Sequence, residues 1–332
     1  MTTSRFFVIN EYPEGLPSSS LFELREQNLP ELGDGEVRIK NSWLSVDPYM
    51  RGRMSGKRTY TEPYELNAPL TGAAVGEVIE SRHEKFKQGD KVRHMGGWRN
   101  IAQLPGNEVE ILPHFDLPEQ AYLGVLGMPG MTAWTGLNII ADLKPGERVL
   151  VSAASGAVGS LAVQLAKSKG CQVIGSAGNK NKRDWLERHG VTSIDHHQNL
   201  DELKASLHKA APEGVDVYYE NVGGDMFEAA LDVMNPFGRI AVCGWISSYN
   251  AKDVVSGPAN IVQILMKRLR IQGFIVGEHW EHYRQFLEQV GPLVEAGKID
   301  YQETIEEGLE STPDAFLRLF EGSNQGKMLV KL

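Results

Sequence analysis

The sequence predicts an α/β chain of two domains, a compact β domain followed by a parallel sheet covered by helices. Three observations carry this. The chain has 332 residues, more than one ordinary core takes, and length over about 150 gives roughly two domains. Up to about residue 120 short β segments are broken by turns, whereas from about Leu143 apolar strands alternate with stretches of helical length. One small-residue loop then runs from a strand into a helix, as a phosphate cradle does.

Composition narrows the function classes. Hydrophobic residues make up 41% and charged residues 23%, ordinary for a globular chain, while 35 glycines exceed the usual share of about 7% and direct attention to tight turns. With 43 Asp plus Glu against 34 Lys plus Arg, the net charge is −9, which opposes nonspecific binding to nucleic acid or an anionic membrane. Only Cys171 and Cys243 occur, so neither a disulfide framework nor a four-cysteine zinc lobe can be built. The apolar run at Phe6-Phe7-Val8-Ile9 is short for a signal peptide, and nowhere do 18 uncharged apolar residues follow one another. A cytoplasmic protein is expected.

In chain order, residues 37–40 alternate after the turn-prone Gly33-Asp34-Gly35, residues 75–80 follow Thr71-Gly72, and residues 88–92 turn into another strand. Later strands are expected at 148–152, 172–175, 215–219, 239–243 and 270–276. Between them lie amphipathic stretches such as 158–169, with Val158, Leu161, Ala162, Leu165 and Ala166 on one stripe. After Gly291 the texture returns to turn-rich β, and Gly326-Lys327-Met328-Leu329-Val330 reads as a terminal strand placed to pack back on the first domain. Arg51, Arg53, Lys57 and Arg58 read as a solvated basic loop rather than an acid-binding site.

The strongest chemical signal is Val149-Leu150-Val151-Ser152-Ala153-Ala154-Ser155-Gly156-Ala157-Val158-Gly159-Ser160. Ala154 takes the first glycine position of a dinucleotide loop, and Gly156 and Gly159 follow at the right spacing. Small residues let the backbone approach a pyrophosphate, whose charge is met by free N–H groups and the helix dipole. The alternative is a tight strand–helix turn with no ligand. An acid about 20 residues on would hold the ribose 2′-hydroxyl of NAD, but Ile174-Gly175-Ser176-Ala177-Gly178 contains none. Asn179-Lys180-Asn181-Lys182-Arg183 instead puts three cations at a helix start, where the dipole disfavours them. An anion there, the 2′-phosphate of NADP, explains this; a solvated helix end is the alternative.

Metal is not expected. His196 and His197, adjacent in an extended segment, would point to opposite faces, and no His-x-x-x-His spacing on a helix accompanies them.

Across essentially its whole length the chain resembles the zinc-independent medium-chain dehydrogenase/reductases, in the branch of prostaglandin reductases, leukotriene B4 12-hydroxydehydrogenase and plant alkenal double-bond reductases. The matching blocks are Leu44-Ser45-Val46-Asp47-Pro48-Tyr49-Met50-Arg51-Gly52-Arg53-Met54, Gly127-Met128-Pro129-Gly130-Met131-Thr132-Ala133, the loop at 153–160, Glu220-Asn221-Val222-Gly223-Gly224, and Cys243-Gly244-Trp245-Ile246-Ser247-Ser248-Tyr249-Asn250. Asp195-His196-His197, Tyr218-Tyr219-Glu220-Asn221 and Ile271-Gln272-Gly273-Phe274-Ile275 are most similar to bacterial curcumin/dihydrocurcumin reductases.

The resemblance implies a GroES-like β domain over residues 1–122, completed by 297–332, and a Rossmann domain over 123–296. It implies NADPH-dependent reduction of the carbon–carbon double bond of α,β-unsaturated aldehydes or ketones, and a homodimer. Zinc-dependent relatives carry a Gly-His-Glu block where this chain has Leu70-Thr71-Gly72-Ala73-Ala74. By family position, Ala157, Val158, Gly159 and Ser160 would hold the pyrophosphate, beside the loop glycine Gly156, and Lys182 the 2′-phosphate. Asn221, Cys243, Gly244, Ser248, Tyr249, Phe274, Ile275, Val276 and Asn324 line the rest of the dinucleotide. Prostaglandin reductases place a tyrosine where His197 stands, and an imidazole also donates to phosphate.

Hydride transfer to an enone creates negative charge on the carbonyl oxygen, so a donor must face it. A tyrosine, with a pKa of about 10, is a neutral donor at pH 7. Tyr249 is the first candidate and Tyr49 the second, with a cofactor ribose hydroxyl as another donor and tyrosine or water protonating the α-carbon. Tyr60, Tyr64 and Met128 are candidate substrate contacts, Met128 and Met131 giving a pliable apolar wall. Cys243, in an apolar strand, shows no sign of thiolate stabilisation. Quinone reduction on the same scaffold, or an NADPH-binding structural or regulatory protein without turnover, are the competing readings.

Overall fold

The computed structural model describes residues 2–332, and the chain divides into two compact units, one running to Gly127 and resuming at Glu303–Leu332, the other Met128–Gln302. The divisions fall a few residues beyond the expected 122/123 and 296/297.

The first unit begins with β1 (Thr3–Ile9) paired antiparallel with β2 (Phe22–Asn28). β3 (Glu36–Ser45) follows, then a single helical turn α1 (Met50–Arg53), then β4 (Ala74–Ser81), β5 (Lys91–His94), β6 (Ile101–Pro105) and β7 (Val109–Ile111). β3 buries Val37, Arg38, Ile39 and Asn41 with Lys40 exposed between the last two, so the one-faced period of a half-buried strand is broken where the Arg38 side chain is also covered.

The second unit opens with α2 (Met128–Thr135) and contains six parallel strands: β8 (Arg148–Val151), β9 (Gln172–Ala177), β10 (Thr192–Asp195), β11 (Val215–Glu220), β12 (Met234–Val242) and β13 (Arg270–Gly273). Their order is β10-β9-β8-β11-β12-β13, with the reversal between β8 and β11. That is the doubly wound Rossmann arrangement, whose ligand crevice lies beyond the strand ends at the reversal. Helices α3 (Gly159–Ser168), α4 (Lys180–Arg188), α5 (Leu200–Ala210), α6 (Gly224–Val233), α7 (Gln263–Lys267) and α8 (Tyr283–Glu295) connect or follow the strands. Val149, Leu150 and Val151 are all buried, as a central parallel strand covered on both faces requires.

The chain then returns to the first unit with β14 (Glu303–Glu307), α9 (Thr312–Glu321) and β15 (Lys327–Lys331). β15 pairs antiparallel with β3 at Leu329↔Ser45 and parallel with β14. The larger sheet of this unit thus runs β14-β15-β3-β4-β5-β7, with β6 on β3. An aromatic cluster of Phe7, Phe22, Trp98 and Phe316 fills its core, with the Trp98 ring tilted against Phe22 at 5.4 Å and edge-to-face with Phe316 at 5.8 Å.

Several sequence expectations change. The strand expected at 270–276 stops at Gly273, and Val276–His282 is helical. The stretch after Gly291 completes α8 and holds a second helix, α9, where turn-rich β was expected. Pro313 sits in the first turn of α9 and Ala315 and Phe316 are buried, so the period of that stretch is helical. β10 was not anticipated, since Thr192-Ser193-Ile194-Asp195 carries a single apolar residue. Arg51 is no part of a solvated loop: it is 5% exposed, and its guanidinium donates to Gly15 O at 2.7 Å and Pro13 O at 3.1 Å. His196 and His197 lie in a turn after β10, not an extended segment, and their rings stand 4.6 Å apart at 68°.

Candidate active site

The crevice begins where β8 and β11 diverge. Ser152, just past β8, donates its hydroxyl to Glu220 Oε1 at 2.8 Å and accepts from Asn221 N at 2.8 Å, while Asn221 Nδ2 donates to Ser152 O at 2.7 Å. Glu220 is fully buried and also accepts from the Tyr218 hydroxyl at 2.5 Å, Val222 N at 2.5 Å and Gly223 N at 3.0 Å. Burial raises its pKa while these donors oppose the rise. The carboxyl group thereby fixes the turn that presents Asn221. Sequence reasoning assigned Asn221 and passed over Ser152 and Glu220; the available signal was a lone acid ending the apolar strand Val217-Tyr218-Tyr219-Glu220.

The loop from β8 to α3 is built for close approach. Ala153 takes φ +47°, Gly156 N donates to Ala153 O at 3.0 Å, and α3 starts at Gly159 with no side chain capping it. A β-carbon on Gly159 would lie 2.3 Å from Ala153 O and 2.7 Å from the Ala154 α-carbon, so only glycine lets the helix start there. Uncapped N–H groups over a loop of small residues suit a phosphate. Ala157, Val158 and Ser160 complete the segment.

The end of β9 fits a second phosphate better than a ribose hydroxyl. Gly178 follows the strand with no acid beside it, and Asn179 caps α4 by accepting from Lys182 N at 2.9 Å. The first turn of α4 carries no acid. Lys182 is half-buried, and burial lowers its pKa. Asp195, at the end of β10, is engaged by Arg183 at 2.8 Å. His197 is exposed and His196 half-buried.

At the ends of β12 and β13 lies a shallow depression of about 370 Å³, lined by Val242, Cys243, Gly244, Trp245, Tyr249, Gly273, Phe274, Ile275 and Glu278. Four assigned residues besides Tyr249 thus meet here; Val276 starts the adjacent helical turn and Ser248 donates to Trp245 O at 3.0 Å. The Tyr249 hydroxyl has one long contact, from Trp245 N at 3.5 Å, and burial raises its pKa. Burial also pushes the Cys243 thiol up to about 12, so it stays protonated. Glu278 escaped sequence reasoning, since it lies in the helical turn Val276–His282, whose start was read as strand.

The remaining assigned residues are placed as follows. Tyr49, in the first unit, precedes α1; its pKa is raised well above the usual value by burial and by Asp47. Tyr64 is 3% exposed, donates to Thr71 O at 2.7 Å and has the Arg53 guanidinium over its ring at 4.1 Å. Tyr60 is 60% exposed. Asn324, before β15, donates to Gly326 O at 3.1 Å. Met128, in the second unit, starts α2 and is half-buried.

Among the described residues no three His, Cys, Asp or Glu side chains gather to hold a metal. Two family models match the chain: "N-terminal domain of oxidoreductase" over residues 5–112 and "Zinc-binding dehydrogenase" over 157–291. The chain is 42% identical over 330 residues to the 2-alkenal reductase (NADP(+)-dependent) of Nicotiana tabacum, covering 97% of this chain and 96% of that one. It is 40% identical over 337 residues to the NADPH-dependent curcumin reductase of Escherichia coli (strain K12), covering 99% and 97%. The crystal structure of CurA from Vibrio vulnificus in complex with NADPH superposes with a TM-score of 0.93 at 39% identity, over 98% of both chains. A glycine loop at the reversal of a doubly wound sheet, matched end to end by such relatives, settles the lineage: the chain belongs to the medium-chain dehydrogenase/reductases, in the branch of the alkenal, curcumin and prostaglandin reductases.

Proposed function

We propose that this protein is an NADPH-dependent reductase of the carbon–carbon double bond of α,β-unsaturated ketones and aldehydes. The observation that carries the reading is the depression at the ends of β12 and β13, where Tyr249 meets Cys243, Gly244, Phe274 and Ile275 on a chain about 40% identical throughout to enone and enal reductases. The loop of residues 156–160 would hold the pyrophosphate through the N–H groups of 157–159, those of Gly156 and Ser160 being bonded to Ala153 O and Gly156 O, with Lys182 and His197 on the 2′-phosphate, and Asn221, Cys243, Gly244, Ser248, Phe274–Val276 and Asn324 on the remainder. NADPH, when bound, supplies hydride to the β-carbon of the enone.

The chain's own part is to meet the charge this creates. Tyr249 donates its hydroxyl to the carbonyl oxygen as that oxygen becomes an enolate, a neutral donor aimed at developing charge. Its raised pKa keeps the proton in place across the physiological range. Tyrosine or water then protonates the α-carbon, with Tyr49 as the second candidate donor. Tyr60 and Met128 remain the substrate candidates. The Tyr64 hydroxyl is committed to Thr71 O, which leaves its ring alone for contact.

The enzyme acts without metal as a cytoplasmic homodimer in this reading. Support for the dimer comes from β13, an edge strand of the parallel sheet, and from exposed Val254, Ile261, Val262, Leu265 and Met266, an apolar surface of the kind that partners cover. The two cysteines carry no disulfide, in keeping with a reducing compartment.

The test follows NADPH and NADH consumption with enals, aryl enones and quinones at equal cofactor, alongside sedimentation for the dimer. Faster NADPH oxidation with enones than with quinones, yielding the saturated ketone, is expected. Quinones as the better substrates would make it a quinone reductase, and tight NADPH binding with no turnover a binding protein.

A further inference from the structure

Gly178 stands near the position where a dinucleotide-binding sheet places the acid for a ribose 2′-hydroxyl, and two imidazole edges occupy the space its side chain would take. A β-carbon on Gly178 would lie 2.4 Å from His197 Nε2 and 3.0 Å from His196 Nε2. Both ring nitrogens therefore converge on one point at the end of β9, next to the helix turn that carries Lys182.

The two rings differ in what they can do. His196 Nδ1 is buried and has no hydrogen-bond partner, so a second proton on this ring would bury an unsatisfied N–H. Burial, His197, Lys182 and Arg183 all disfavour its charged form, Asp195 alone favouring it, and its pKa falls to about 4. His196 is thus a neutral imidazole whose proton sits on Nε2, a donor only. His197 is exposed, and its backbone N–H is tied to Asp195 Oδ1 at 2.9 Å.

The charges facing the pair come from β10 and α4. Asp195 is held by Arg183 at 2.8 Å, and Arg183 also donates to Gly178 O at 3.1 Å. Lys182 adds a cation, while Lys180 pairs with Asp184 at 2.7 Å. Lys182 and Arg183 against Asp195 leave the surroundings net positive, which opposes a proton on His196. A phosphate dianion reverses that sign.

We propose that His196 and His197 divide recognition of the 2′-phosphate, His196 donating as a permanently neutral imidazole and His197 taking a proton from solvent as phosphate binds, so that preference for NADP(H) over NAD(H) is proton-linked. This rests on the NADPH reading and adds a residue, His196, and a coupling to it. The bound state carries the extra proton, so the preference is strongest near neutrality and declines as pH rises.

Calorimetric titration of the full chain with NADP+ and NAD+ at pH 7.5, in buffers of different ionisation enthalpy, reads the coupling without turnover. At that pH a phosphate is almost wholly dianionic. Uptake of roughly half a proton or more per site is expected with NADP+ and none with NAD+, and the affinity ratio should fall roughly fivefold between pH 7 and 8.5. His197→Asn should abolish the uptake and flatten the ratio. His196→Asn should keep the uptake while weakening NADP+ roughly tenfold and sparing NAD+. No uptake in the parent protein, or uptake unchanged in His197→Asn, overturns the proposal while leaving an NADP-preferring enzyme. Equal affinity for both dinucleotides at every pH would overturn the NADPH reading itself, and this proposal with it.

Discussion

Tyr64 in the first unit and Tyr249 in the second are aromatic side chains with raised pKa values, yet they are held in opposite ways. Tyr64 donates to Thr71 O at 2.7 Å, its own carbonyl accepts from Tyr12 at 2.9 Å, and Arg53 covers its ring. Tyr249 has one contact of 3.5 Å on its hydroxyl and lines an open depression. The same contrast extends to neighbours. In the first unit, Lys327 is buried and donates to Val46 O and Met328 O at 2.8 Å, with Asp47 at 3.2 Å, and His94 is closed between Asn41 Oδ1 at 2.9 Å and Gly96 N at 3.0 Å. In the second unit, by contrast, His197 is exposed just past the end of β10. A polar group closed on its own fold holds the fold together, whereas one left open at a crevice is available to a ligand.

That difference predicts where each substitution registers. The largest effect belongs to Asp47→Ala, which leaves the Lys327 ammonium buried beside uncharged carbonyls; breaking such a pair costs about 3–5 kcal/mol, to be read in urea unfolding. A loss under 1 kcal/mol would show that the pair is not closed as described. Next comes pH. Burial depresses the His94 pKa to about 3 against about 6.5 unfolded, so the unfolded chain binds the proton first. The stability this residue contributes is complete above pH 6.5 and is lost on acidification toward pH 3, about 3 kcal/mol by pH 4. His94→Asn should remove one proton from that slope, and an unaltered slope would assign the acid sensitivity elsewhere.

Tyr249→Phe should lower turnover on the best enone about 100-fold and leave NADPH affinity and melting temperature nearly unchanged. Unchanged turnover would take the proton-donor role from Tyr249 and give Tyr49→Phe the decisive measurement. The smallest effect is expected for Tyr64→Phe. It strands one carbonyl and should cost about 1 kcal/mol of stability with turnover within threefold; a larger drop in turnover than in stability would move Tyr64 to the substrate side.

Much of the second unit was legible because its signals are local. Val149-Leu150-Val151 followed by small residues and an apolar helical stripe announced both a buried parallel strand and the start of α3, and Gly159 proves sterically obligatory there. The missing acid before Gly178 was equally visible. β10 and α9 were not, the first because Thr192-Ser193-Ile194-Asp195 carries a single apolar residue, the second because its burial depends on Phe316 meeting Phe22 and Trp98, distant in sequence.

By itself the sequence determined the fold class, the tight glycine turn and the cofactor type, because backbone approach and charge at a helix start are properties of consecutive residues. Only the tertiary structure decided that Glu220 and Ser152 fix Asn221, that Arg51 is a buried strut, and that His196 and His197 converge above Gly178 instead of facing apart. Each of these depends on which atoms meet across strands and turns, and on which donors are left without a partner once they have met.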